Sequence, residues 1–157
     1  MNKMEISFTK GEMGKVDKAP DVQTVSTEFK KIIIARLRCG TDVLEGLQNV
    51  VKENNIKNAV IITGIGSLTG YHIHMVDNVD FPHEEVYIKE QGPFDLLNIN
   101  GYIVNGRVHS HISIADGNKA TGGHLEPGTT IFTFVALTIG IVGDDVDISR
   151  LDDFRYR

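Results

Sequence analysis

The chain of 157 residues has no tryptophan, only four prolines and a single cysteine. With Cys39 alone an internal disulfide is impossible, and the expected compartment is a reducing one, the cytoplasm. Cys39 ends an apolar run and reads as a small buried hydrophobe rather than a nucleophile. No stretch approaches the roughly 18 apolar residues of a membrane-spanning helix. The N-terminus also has no apolar core of signal-peptide length. Positive charge is scarce too, with 16 Lys and Arg against 21 Asp and Glu and a net charge of −5. Proteins that bind by neutralising phosphates are usually basic, so this balance argues against nucleic-acid binding by the chain unaided. What is present is an ordinary globular composition, 41% hydrophobic and 24% charged. That is enough apolar surface for one self-sufficient core.

Hydrophobic periodicity predicts an α+β chain with one main helix. Residues 1–27 read as an N-terminal arm, in which Met4–Phe8 alternates weakly as an edge strand. Residues 28–143 read as the folded domain, and 144–157 as a charged, peripheral tail. Phe29–Leu37 is isoleucine-rich and predicts a strand. A helix over about 42–54 follows, with Asp42 and Glu45 at capping-box spacing. Val43, Leu44, Leu47, Val50 and Val51 form its apolar face, and Asn54-Asn55 stop it.

Ala59–Ile62 predicts a strand running into GIGSLTG. That run misses a dinucleotide fingerprint, because Thr69 stands at the third glycine and Tyr71–Met75 alternates as a strand where a helix is needed. A tight turn or a close backbone approach explains its glycines better. After a loop at 77–83, Glu84–Glu90 predicts a strand and Gly92-Pro93 a turn into 94–104. Asn105-Gly106 is a type I′ hairpin signal, with Arg107–Ala115 as the returning strand. Thr130–Val142 is apolar on both alternate faces, so a second layer or a subunit interface should cover it.

The chemistry concentrates between Arg107 and His124. On the predicted strand, His109, His111 and Ser113 point one way, while Val108, Ser110, Ile112 and Ile114 point the other. Residues two apart on one strand face stand roughly 6.5–7 Å apart, near enough for both imidazoles to reach one ion. His124 is the obvious third ligand, with Gly122-Gly123 letting its backbone come close. Three protein nitrogens leave a position open for water or substrate, as in a catalytic zinc site.

The bland alternative is a solvated polar face that binds nothing. A cupin site is excluded, since no glycine precedes His109 at the required spacing and no glutamate follows His111. His72 and His74 form a second H-x-H pair without an evident third partner and read as solvated. Asn98 and Asn100 lie across the hairpin, where they would hydrogen-bond metal ligands or a ligand carboxylate. Arg107 would pair with an anion near the site, or simply be solvated. Ser67 has no visible histidine–acid partnership.

GIGS at 64–67, GPFDLLNINGYI at 92–103, the H-x-H pair, ADG at 115–117 and GGHLEPGTTIFTFVALTI at 122–139 together resemble the plants-and-prokaryotes-conserved (PPC) domain, once catalogued as a domain of unknown function. The resemblance runs in order over residues 28–142. It implies a curved, largely antiparallel sheet with one main helix, homotrimeric assembly, and a metal on His109, His111 and His124, typically zinc. Plant members join the domain to an AT-hook and bind DNA, and prokaryotic relatives carry a DNA-binding label from them. This chain has no Arg-Gly-Arg-Pro hook to enter a minor groove. The expected function is therefore a trimeric, zinc-holding module for a small ligand or for regulation. A zinc-dependent hydrolase or lyase, with Asp116 or Glu126 as acid/base, and a DNA-associated regulator are the alternatives.

Overall fold

The computed structural model describes residues 22–80 and 83–152. Six strands and one α-helix occupy them in the order β1 (Lys31–Arg38), α1 (Val43–Glu53), β2 (Ala59–Val76), β3 (Glu85–Val104), β4 (Arg107–Ala115), β5 (Ala120–Leu125) and β6 (Thr130–Ile141). A short 3-10 turn, Ser149–Asp152, closes the described chain. The strands form one antiparallel sheet ordered β1-β6-β2-β3-β4-β5, with a further pairing between β2 and β5. That extra pairing rolls β2, β3, β4 and β5 into a closed ring, while β6 and β1 extend the sheet from β2. The α+β reading with a curved antiparallel sheet and one helix is what the structure has. The weak strand expected at Met4–Phe8 lies outside the described residues.

Local chemistry accounts for the helix and the central hairpin. Asp42 is the N-cap and its side chain accepts the Glu45 backbone N–H at 3.0 Å. Its second carboxylate oxygen accepts the Gly128 N–H, tying the helix start to the turn before β6. Asn55 follows the helix with a positive φ of 49°, the left-handed stop that asparagine tolerates. The β3–β4 turn has φ of 51° at Asn105 and 78° at Gly106, the two positive values a type I′ turn needs.

Of the two readings of GIGSLTG the close backbone approach is the one realised, and the turn expected at Gly92-Pro93 does not occur. β2 runs unbroken through GIGSLTG, with register shifts against β6 at three points between Ile61 and Gly70. Its glycines permit close approach, because a Cβ on Gly66 would stand 2.2 Å from the Phe134 carbonyl oxygen. Likewise β3 runs through Gly92-Pro93. There the pairing with β2 skips from Gln91 to Phe94, so the proline sits where no ladder N–H is required. Bulges of this kind bend a strand, which lets β2 leave β6 and meet β5. Cys39, expected to be buried, is exposed, because Gly40 turns the chain off the sheet one residue later.

The core lies inside the curve of the sheet. Val43, Leu47 and Val51 of α1 are buried against it, with Leu68, Ile73, Ile99, Ile112, Ile114, Val135, Leu137 and Ile139 contributed by the strands. Gly46 lets the helix settle onto Leu37, which a Cβ there would meet at 2.7 Å. The outer face of the same strands carries apolar side chains with no cover among the described residues: Ile34 is 81% exposed, Ile65 58%, Phe132 55% and Leu97 52%.

Leu47 is fully buried. Leu47→Ala is expected to lower stability by about 2–5 kcal/mol, the usual cost of such a cavity, read as a shifted midpoint in urea unfolding at unchanged slope.

Candidate metal centre

The three predicted histidines meet where β4, β5 and β2 come together. β4 presents His109 and His111 on one face, and β5 pairs with it so that His111 faces His124. The other edge of β5 touches β2, where His124 faces His74. Two glycines permit this squeeze. A Cβ on Gly122 would lie 2.5 Å from the Ile112 carbonyl oxygen, and one on Gly123 would lie 2.7 Å from the His74 carbonyl oxygen. Any larger residue pushes β5 away from one neighbour or the other.

The ring of His109 lies 5.6 Å from that of His111 and 4.7 Å from that of His124, with 5.2 Å between His111 and His124. One nitrogen from each of the three can be chosen so that all lie within 4.8 Å of one another. Tetrahedral Zn–N bonds of about 2.0–2.1 Å place ligand nitrogens roughly 3.4 Å apart, so small side-chain rotations suffice to close the set on an ion. The rings line a cavity of about 1440 Å³ whose wall also includes Arg107, Asp152, Val104 and Ile112.

Electrostatics favours lone pairs here. Burial, reinforced by the neighbouring His109 and His74, holds the His111 ring below the usual histidine range. Burial and the crowd of His109, His74 and His111 push His124 down to about 4, against a small opposing pull from Glu126. Both rings are therefore neutral at pH 7, as metal ligation requires. His109 is oriented from behind. Its Nδ1 lies 2.5 Å from the Asp152 carboxylate, which also accepts from the Arg107 guanidinium. With Nδ1–H donated to that carboxylate, Nε2 is left to face the site, the usual carboxylate–histidine–metal arrangement.

The other candidate residues take these places. Asn98 accepts a hydrogen bond from the Thr63 hydroxyl at 3.0 Å and pairs in register with Ser113, not with a histidine. Asn100 does stand opposite His111. Arg107 pairs with the Asp152 carboxylate, an anion at the edge of the site. Asp116 accepts the Asn118 and Lys119 backbone N–H groups in the β4–β5 turn, so its carboxylate is held by the turn. Ser67 shares a hydrogen bond with Thr133. Asp152 was invisible in sequence, since the tail expected at the periphery carries it back across β4. His74 was visible as half of an H-x-H pair. Its partners are Glu126, 2.7 Å from Nδ1, and Glu85, 3.7 Å from Nε2. Glu85 reaches it through the β2–β3 pairing, and Glu126, from a distant segment, through the β2–β5 closure.

A sequence profile of the Plants and Prokaryotes Conserved (PCC) domain matches residues 24–143. The bifunctional protein GlmU of Synechococcus sp. (strain JA-3-3Ab) is 25% identical over 118 residues, which are 74% of this chain and 18% of that protein. The chain thus spans less than a fifth of the curated relative it matches. A metal-containing protein from Archaeoglobus fulgidus is similar in structure, with a TM-score of 0.68 at 21% identity, covering 78% of this chain and 87% of that one. A plant- and prokaryote-conserved protein from Pyrococcus horikoshii has a TM-score of 0.68 at 22% identity, over 80% of this chain and 89% of its own. At these identities the two structural likenesses are likenesses of fold. Further structural neighbours from Bacteroides thetaiotaomicron and Ralstonia eutropha are named, provisionally, for DNA binding.

The depressed His124 couples the metal-free fold to pH. Unfolded histidine titrates near about 6.5, whereas folded His124 takes a proton only near about 4. Between those values the unfolded chain binds a proton that the folded chain refuses, so stability is full above about 6.5 and falls as pH drops toward 4. Urea midpoints of metal-free protein are expected to decline from pH 7 to pH 4.5, and less steeply in His124→Asn.

Proposed function

We propose that this chain, which belongs to the Plants and Prokaryotes Conserved domain family, is a homotrimeric module that holds a divalent metal, zinc, on His109, His111 and His124 and offers its open position to a small anionic ligand. The observation that carries the reading is the convergence of one nitrogen from each of the three imidazoles within 4.8 Å at the β4–β5 seam. The donor chemistry fits. Neutral imidazoles suit zinc and the later first-row ions, whereas calcium and magnesium favour oxygen. Bound there, the ion supplies a Lewis-acidic centre to which an anion or water can bind.

The protein's own contribution is orientation. Asp152 fixes the His109 ring, Gly122 and Gly123 set the depth of His124, and Val104 and Ile112 give the cavity an apolar wall. The metal-containing neighbour from Archaeoglobus fulgidus shares the fold that brings these strands together. The apolar outer face of β1, β2, β3 and β6 supports the trimer, since exposed patches of this kind mark protein–protein contacts. The reducing cytoplasm is the compartment this reading assigns, with Cys39 as its only cysteine. No helix among the described residues is long and apolar enough to cross a membrane.

A metal-dependent hydrolase or lyase is the second reading. Its specific support is the Glu126 carboxylate, held by His74 beside His124. A DNA-associated regulator has the net charge of −5 against it.

Purified protein is expected to carry at least one zinc per chain by elemental analysis. Asp152→Asn should weaken zinc binding by about 10–100-fold, the usual cost of losing a carboxylate behind a ligating histidine. Zinc content that is absent, or that is indifferent to His111→Ala in a Glu126→Gln background, would reject the three-histidine site. Light scattering should give a mass of three chains, and Ile34→Glu with Phe132→Glu should shift it toward one.

A further inference from the structure

Beside the three-histidine set lies a second group, His74, His124 and Glu126, whose chosen donor atoms also fall within 4.8 Å of one another. His74 stands on β2, paired in register with His124. The two rings stack with centroids 4.4 Å apart and planes 25° apart. Glu126 lies just beyond β5 and is pinned by its own backbone, whose N–H donates to the His72 carbonyl at 3.0 Å.

His74 has a carboxylate at each ring nitrogen: Glu126 at 2.7 Å from Nδ1 and Glu85 at 3.7 Å from Nε2. A neutral imidazole carries one N–H and one lone pair. One of the two carboxylates must therefore face a lone pair unless a positive charge stands between them. Metal-ligating histidines direct their remaining N–H toward a carboxylate, and Glu85, 3.7 Å from Nε2, lies on that side of the ring just beyond hydrogen-bond reach. Nδ1 and the Glu126 oxygen then lie side by side, 2.7 Å apart, and the stacked His124 ring stands on the neighbouring strand.

We propose that His74, Glu126 and His124 form a second divalent-cation seat adjoining the first. Two imidazoles and one carboxylate make a mixed set carrying one negative charge, which suits zinc or cobalt(II) and offers too few oxygens for calcium. The first seat uses neutral nitrogens only, so the second provides the carboxylate charge the first lacks. The proposal rests on the reading above only in sharing His124. Its competitor is a lone proton between His74 and Glu126.

Cobalt(II) binding to the full chain, followed by equilibrium dialysis and visible absorption with circular dichroism as the check on folding, separates these. The His111 ring is shielded on one side only and packs no core residue, so His111→Ala disables the first seat with little risk to the fold, and His109→Gln serves if that variant does not fold. The His111→Ala protein is expected to keep one cobalt per chain. Adding Glu126→Gln or His74→Ala should then weaken that binding by more than about 100-fold, beyond the loss expected from an outer-shell partner. Folded His111→Ala protein that binds no cobalt overturns the second seat, as does binding unchanged by Glu126→Gln. Glu126→Gln alone should leave cobalt on the three-histidine seat, so loss of the second seat is distinguishable from failure of the first.

Discussion

Everything at the candidate site depends on how closely β5 can lie against two neighbours at once. Gly122 passes the Ile112 carbonyl and Gly123 passes the His74 carbonyl at distances that leave no room for a side chain. This double approach closes β2, β3, β4 and β5 into a ring and delivers His124 between His111 and His74. A β-strand puts neighbouring side chains on opposite faces, so one pair of glycines sets both the depth and the direction of the shared ring. The bulges in β2 do the complementary work, bending an 18-residue strand so that one end pairs with β6 and the other with β5.

The two faces of the sheet have separate duties. Inward-facing isoleucines and leucines, capped by α1, make a core whose loss would unfold the domain. The outward face of β1, β2, β3 and β6 also carries large apolar side chains, with no cover among the described residues. Between them, at the closed end, the polar face of β4 turns into the cavity and places its histidines beside apolar Val104 and Ile112. Burial there keeps His111 and His124 neutral, the form in which they can ligate.

Signals that depend on neighbouring residues were legible in the sequence. The Asp42 cap, the stop at Asn54-Asn55, the Asn105-Gly106 turn and the alternation of β4 each rest on local backbone chemistry, and each stands where expected. The grouping of His109, His111 and His124 was legible for the same reason, since one hairpin and one short turn hold all three. What escaped depends on distant chain. Gly92-Pro93 read as a turn, and GIGSLTG as either a turn or a close approach, because sequence does not show which backbone lies alongside. His74 looked partnerless, because Glu85 and Glu126 reach it only through β2–β3 and β2–β5 pairing. Asp152 lies 43 residues beyond His109, in a segment with no pattern that would announce its return.

The β2–β5 closure also orders events in time. His74 and Glu126 are 52 residues apart in the chain, whereas β3 and β4 meet across a two-residue turn. Loop-closure entropy favours the short connection first, so the hairpin assembles before the seam can close. An ion spanning the seam would then act as a latch fitted after assembly rather than as a nucleus for it. Such a latch slows opening more than it speeds folding, and the ring would gain its persistence from the rate at which it comes apart.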